Sequence, residues 1–263
     1  MSNLSDIGFP VKGDEAINEM ILSVMKNTQE IPCRNGFYLK FSDESGAQMY
    51  LQGNKDQELI GFNPHFEGKS RRKVGLIQAI ERDSSELDGG FYAWANPENE
   101  DFENSGEYPF IFDAPDFRAV GHLEFPLVCA IQLIAFASND FKMFESEEAY
   151  FASQDNEIRS AAKSFVPSGL FSFGEDEKVD LNVVRPIGMF TGEIKEFELK
   201  TNSLTNENFY HFLVETLGGE IDVVADAKLI PETPQIGGIV NGQFWLSGRL
   251  INDLSISIVS GSE

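Results

Sequence analysis

From Gly188 to the end, the chain repeats one pattern. Short runs of alternating apolar and polar residues are cut by clusters of Gly, Asn, Asp and Pro. A period of two belongs to a strand with one buried face, whereas a helix would show a period near 3.6. "GMFTGEIKEFELKTN" reads as a long, twisted first strand and "SLTNE" as a turn. "NFYHFLVETLGG" gives a second strand and "EIDVVAD" a third. "AKLIPETPQIGG" crosses over without a helical pattern, "IVNGQFWLSGRL" is a fourth strand, and "DLSISIV" is a fifth.

Five short strands with a long connection before the fourth fit a small Greek-key barrel. Over roughly residues 185–260 the stretch resembles an OB-fold in its strand order and glycine placement. "PQIGGIVNGQFWLSG" is similar to the entry into the fourth strand of such barrels. The resemblance implies a barrel over 181–263 and brings no catalytic motif. Gly237, Gly238, Gly242 and Gly248 stand where strands coil or backbones approach closely. Val240, Phe244 and Leu246 then fall on the barrel-filling face. Trp245 and Arg249 fall on the other face, toward a domain interface or, as the functional alternative, a ligand surface. Through "NPHFEG", "YPFIFDAPDF" and "GQFWLSGRL" the whole chain resembles conserved hypothetical bacterial proteins of unknown function, a likeness that carries no activity.

The first part of the chain is more mixed. Residues 14–27, "DEAINEMILSVMKN", place Ile17, Met20, Ile21, Val24 and Met25 at helical spacing, with acidic residues at the start, where they complement the helix dipole. Residues 36–52 alternate as two strands around Asp43-Glu44-Ser45-Gly46. Residues 83–116 hold ten Asp or Glu and no Lys or Arg, and they read as a strand, an acidic loop (97–106) and a second extended segment. Pro109 and Pro115 argue against a helix and against a central strand position there. "FPLVCAIQLIAFAS" (125–138) is apolar nearly throughout, so periodicity leaves strand and helix open, and its strand-like neighbours favour strand. Ser146 followed by Glu148 and Ala149 marks a helix start, giving a helix near 146–163. The expected fold is mainly β (α+β). Residues 1–180 form an N-terminal β-rich domain with helices near 14–27 and 146–163, and 181–263 form the OB-like barrel, with the boundary around 175–185.

Charge restricts the partners. The 263 residues carry a formal net charge of −23, and 41% are hydrophobic, which is enough for a core. Such a surface repels phosphate backbones and anionic headgroups, so general nucleic-acid or membrane binding is not expected. Residues 183–263 hold eleven acidic and five basic residues, without the positive groove of strand-gripping OB folds. The run "KSRRK" (69–73) reads as a solvated loop or hairpin end. The longest apolar stretch, Phe125–Ala137, falls short of the roughly 20 residues a membrane helix needs. The N-terminus lacks a signal-peptide pattern. Cys33 and Cys129 show no CxxC spacing, and a cytoplasmic location is expected.

Catalytic motifs were sought by residue type and spacing. His65, His122 and His211 show no HExxH, and no cysteine lies near a histidine at zinc spacing. Glu98, Glu100, Asp101 and Glu103 do not follow the EF-hand order, so no metal and no cofactor are expected. Ser23–Lys26 and Ser160–Lys163 match S-x-x-K without the accompanying SDN and KTG motifs. The candidates that remain for catalysis are His65, beside the Asn-Pro turn, and the carboxylates Asp113 and Asp116 around Pro115. The blander expectation packs and hydrogen-bonds His65 and His211 within the fold. It also sets Asp113 and Asp116 on backbone N–H groups of an Asx-type turn. Trp94, Trp245 and Arg249 are the ligand-binding candidates. The expected function is a non-enzymatic binding or interaction protein of a bacterial cytoplasm. The alternatives are an immunity- or antitoxin-like acidic partner of a basic protein, and a carboxylate-based hydrolase.

Overall fold

The computed structural model describes residues 4–10, 12–82, 85–98, 106–154, 159–168 and 180–251. Over the described residues the chain is mainly β, in two sheets with two α-helices. The helices are α1 (Asp14–Val24) and α2 (Glu147–Ala152). The first sheet is an antiparallel meander of β1 (Thr28–Cys33), β2 (Gly36–Ser42), β3 (Ala47–Asn54) and β4 (Leu59–Phe66). The second sheet holds ten strands. From the first part of the chain come β5 (Arg72–Glu81), β6 (Gly89–Ala95), β7 (Pro109–Asp113), β8 (Leu127–Ala137), β9 (Lys142–Phe144) and β10 (Ser164–Pro167). From the C-terminal part come β11 (Ile187–Thr201), β12 (Asn208–Thr216), β13 (Gly219–Asp226) and β14 (Ile239–Leu250).

The second sheet therefore draws strands from both sides of residue 180. Its β11, β12 and β13 form an antiparallel meander, as the alternation predicts. Next to β13 lies β8, parallel to it through Asp222↔Ile134 and Val224↔Phe136. On its other edge β8 pairs antiparallel with β14, which pairs back to β11. The hydrogen-bonded circuit β11–β12–β13–β8–β14 thus returns to its start, and β5, β6 and β7 continue it outward from β8. The fifth C-terminal strand expected from "DLSISIV" lies outside the described residues, as do most of the acidic loop 97–106, including Glu100, Asp101 and Glu103, and residues 169–179 of the connector.

Three expectations need correction. The second helix ends at Ala152, well short of 163. The Ser146 side chain accepts from Ala149 N and starts it as expected. The Ser153 hydroxyl then donates back to Tyr150 O, and Gln154 binds both N and O of Ser160, so the chain turns before entering β10. The run 69–73, read as a solvated loop or hairpin end, is solvated only in part: Lys69, Arg71 and Lys73 are exposed, and Ser70 and Arg72 are buried. Arg72 is buried and donates to the carbonyls of Leu217, Gly218 and Gly219, clamping the β12–β13 turn. In the same run the backbone N–H groups of Lys69 and Ser70 donate to Asp222. Asp113 and Asp116 are held by side chains of Arg82, Trp245 and Arg249, in place of the backbone N–H groups of an Asx-type turn.

The apolar stretch 125–138 is strand, and its alternation splits two cores. Ile131, Leu133 and Ala135 point into the main core with Phe110, Phe112 and Phe244. Ile134 and Phe136 point outward, to a second core shared with the first sheet. The first sheet has two unlike faces. Leu39, Phe41, Met49 and Leu51 join Met20 and Val24 of α1 in the second core. The opposite face carries Lys40, Gln48, Tyr50, Asn63 and His65, in register across β2, β3 and β4. Through β4 this sheet sits on the outward face of the second one, with Phe66 against Phe209 and His211.

Phe244 and Leu246 fill the main core, and Gly248 allows Phe112 to lie against β14. A Cβ at Gly248 would meet Phe112 Cδ2 at 2.6 Å. That ring is held by Phe91 and Phe110 and has no free direction in which to move. Gly248→Ala is expected to destabilise the fold by about 1–3 kcal/mol, the usual range for overpacking. Urea unfolding reads this as a lower midpoint, and an unchanged midpoint would show that β14 does not need glycine there.

Candidate functional site

Five of the six residues selected from the sequence meet on one strand face. Trp245, Ser247 and Arg249 are successive outward positions of β14, and each has a polar partner from elsewhere in the chain. Trp245 Nε1 donates to Asp113 Oδ2 at 3.2 Å. Ser247 Oγ and His65 Nδ1 share a hydrogen bond of 3.0 Å. Arg249 Nη2 donates to Asp116 Oδ2 at 2.7 Å. Trp94 stands apart on β6, opposite Gly75 and Pro109, and shares none of these contacts.

The row is sealed at its middle and partly open at its ends, where the Asp113 and Arg249 side chains are 24% and 35% exposed. His65 and Ser247 are at most 1% exposed. Asp113 also accepts two bonds from Arg82, whose Nη1 donates on to the carbonyls of Asn182 and Val184. Burial pushes the Asp113 carboxyl above its ordinary value, against the pull of Arg82 and Trp245. Arg249 also lies 5.7 Å from the centre of the Tyr50 ring, with Lys40 at the same distance from that ring. Burial lowers the Lys40 ammonium, and the Arg249 charge adds to that.

The Ser247–His65 pair has the residue types of a nucleophile and its base. Such a pair acts only where the hydroxyl can meet a substrate atom. Here both side chains are enclosed by β3, β4 and β14, and the imidazole is held neutral. Burial pushes His65 down from 6.5 to about 3, with the Arg249 charge acting in the same direction and Gln132 against it. His65 is thus packed and hydrogen-bonded within the fold. His211 is equally structural, with Nε2 donating to Asp222 at 2.7 Å. Among the described residues no group of three or more His, Cys, Asp or Glu could hold a metal ion. Cys33 and Cys129 are both free thiols, and burial pushes Cys129 up to about 12.

Smaller hollows of about 260 and 170 Å³ touch Asp113 and Arg249, and a wider cleft lies elsewhere. A cleft of about 700 Å³ is bounded by β1, β5, β6 and the segment 117–125. Its apolar wall is Phe91, Phe117, Leu123 and Phe125, and Arg34, Arg118 and His122 lie at its rim with Glu81. The segment is anchored by Arg118, whose N–H donates to Tyr38 Oη and whose Nε donates to Glu86 O. Tyr38 Oη in turn donates to Leu87 O at 2.7 Å. Sequence reasoning missed this site because Arg34, Phe91 and Phe125 come from separated segments that fit no motif. The available signal was "FRAVGHLEF" (117–125), where an Arg and a His sit among apolar residues beside a glycine.

No family model, curated protein or solved structure matches the chain. Among the described residues no helix is long and apolar enough to cross a membrane.

The sealed histidine makes stability depend on pH. Between about 3 and 6.5 the unfolded chain binds a proton at His65 that the folded chain refuses. Stability therefore falls as pH falls through this window, by at most about 1.4 kcal/mol per pH unit from this group. Urea unfolding at pH 7 and pH 5 should show a smaller loss in His65→Gln than in the parent. Equal losses would mean that the imidazole reaches solvent.

Proposed function

We propose that this chain is a non-enzymatic binding protein whose ligand occupies the 700 Å³ cleft between β1, β5, β6 and segment 117–125. The observation that carries this reading is the separation of polar chemistry from access. His65 and Ser247, the nucleophile-and-base types, are buried against each other, while the cleft is walled by apolar side chains and rimmed by Arg34, Arg118, His122 and Glu81. Ligand sites are typically concave, mostly apolar and oriented by a few polar groups, in volumes of roughly 300–1,000 Å³. The cleft has those features.

The OB-like reading takes a specific form here. β11–β12–β13 supply the meander, β14 the fourth strand, and β8 of the first part of the chain the fifth position. The circuit of pairings and the buried row Val240, Phe244 and Leu246 support it. The proposed cleft is formed on β5, β6 and their neighbours, outside those five strands, so the ligand reading does not rest on the barrel assignment.

The test uses the neutral fluorescent probe N-phenyl-1-naphthylamine. It should brighten on the parent protein, and Ala79→Trp should remove most of the signal, because Ala79 is an exposed cleft-lining residue of β5. Equal brightening in a correctly folded Ala79→Trp protein would place the apolar site elsewhere and defeat the proposal.

A further inference from the structure

We infer that the cleft takes an amphiphilic monocarboxylate, with its apolar body on the phenylalanine wall and its carboxylate between Arg34 and Arg118. The inference rests on the cleft being a ligand site and adds the ligand's chemistry.

The wall sets the body. Phe91 and Phe117 are packed edge to face with centroids 5.6 Å apart, and Phe125 lies 6.4 Å from Phe91. Phe91 and Phe117 are themselves buried and form the floor, while half-buried Leu123 and Phe125 offer most of the apolar surface to an alkyl chain or ring, with no polar group among these four side chains to hydrogen-bond a sugar or base.

The rim sets the head. The chain carries a net charge of −23, yet the ionic side chains of this cleft are Arg34, Arg118 and Glu81, with His122 beside them. With His122 neutral their sum is positive. Arg34 is exposed and has no hydrogen bond or ion pair among the described residues. Arg118 is already oriented, with its guanidinium 5.1 Å from the Phe117 ring centre and its Nη1 on Glu81 Oε1 at 2.8 Å. Its Nη2 makes no hydrogen bond among the described residues. A guanidinium whose direction is fixed by packing presents its remaining donors to a carboxylate with little entropy to lose.

One negative charge is the favoured number. Glu81 lies in the same lining and the whole surface is acidic, so each added charge on a ligand meets repulsion from both. A monoanion can gain from two guanidinium groups against one carboxylate. A nucleotide or other polyanion adds repulsion faster than it finds further cations.

The experiment is displacement of N-phenyl-1-naphthylamine by decanoate and, in parallel, by decanol, which has the same chain length without the charge. The parent protein should bind decanoate roughly tenfold more tightly than decanol. Arg34→Gln should weaken decanoate roughly fivefold and leave decanol unchanged, since Arg34 is exposed and holds no other element. Glu81→Gln should tighten decanoate. Arg118 is left intact because it anchors the segment. If decanol competes as well as decanoate, or Arg34→Gln affects both alike, the carboxylate assignment fails while the cleft remains an apolar ligand site. If the probe binds the parent and Ala79→Trp equally, the cleft reading itself fails, and the ligand class fails with it.

Discussion

One buried carboxylate joins the two sheets. Asp222 on β13 accepts from His211 Nε2 on β12, from the N–H groups of Lys69 and Ser70 between β4 and β5, and from Gln132 Nε2 on β8. Burial would raise its pKa. The His211 hydrogen bond and charge, with the two backbone donors, hold it below its ordinary value. An isolated buried carboxylate is among the costliest groups a fold can contain, and removing its donors strands the charge. Here those donors come from three separate stretches of chain, so the carboxylate is satisfied only when all three are in place around β13. The approach is close enough that Gly68 has no room for a Cβ, which would stand 2.2 Å from the Asp222 carboxyl carbon. Gln132 also donates to Phe66 O, which extends the network to the end of β4 and so to the first sheet.

That anchoring explains why residues of catalytic type converge with the His65–Ser247 pair buried among them. With the end of β4 fixed over β8 and β13, His65 comes to rest on Ser247, and the neighbouring outward positions of β14 find Asp113 and Asp116. Of these pairs Ser247–His65 crosses between the sheets, while Trp245–Asp113 and Arg249–Asp116 tie β14 to its own sheet neighbour β7 and to the segment that follows it, so a shifted register of β4 would leave the buried Ser247 hydroxyl unpaired. The pairs differ in kind along the strand, as an indole with a carboxylate, a hydroxyl with an imidazole, and a guanidinium with a carboxylate.

Local pattern in the sequence reached as far as local physics does. The alternation from Gly188 specifies β11 to β14, the 3.6 period of Asp14–Val24 specifies α1, and Asp43 turns the β2–β3 hairpin by accepting from Ser45 N. The period-two reading of "FWLSGRL" also assigns the faces of β14 correctly, which is why Trp245 and Arg249 were legible as a pair facing a different surface from Phe244 and Leu246. What pattern could not supply was long-range pairing. Nothing in "LVCAIQLIAFA" says that its strand enters between β13 and β14, nearly a hundred residues later in the chain. Nor does "KSRRK" reveal that one arginine is drawn inside by three turn carbonyls. Ala and Glu content carries the expected helix on to 163, whereas the Ser153 hydroxyl on Tyr150 O and the Gln154 side chain on the Ser160 backbone compete with its continuation beyond Ala152.

The distribution of arginine bears on how any ligand would be read. Arg72 is directed to carbonyls, Arg82 to Asp113, Arg118 partly to Glu81 and Arg249 to Asp116, so in an acidic chain most of these guanidinium groups serve internal acceptors. Arg34 at the cleft has no such acceptor among the described residues. Long-range attraction of an anion to a molecule of charge −23 is unfavourable, and salt shortens its reach to roughly 8 Å at physiological ionic strength. The cleft cannot therefore gather anions from a distance as a positive groove does. Capture must begin with apolar contact at the phenylalanine wall. Only once the ligand is within a few ångströms does the local sum of Arg34, Arg118 and Glu81 outweigh the surrounding field. In such a site charge fixes the orientation and selectivity of a molecule already held by its apolar body.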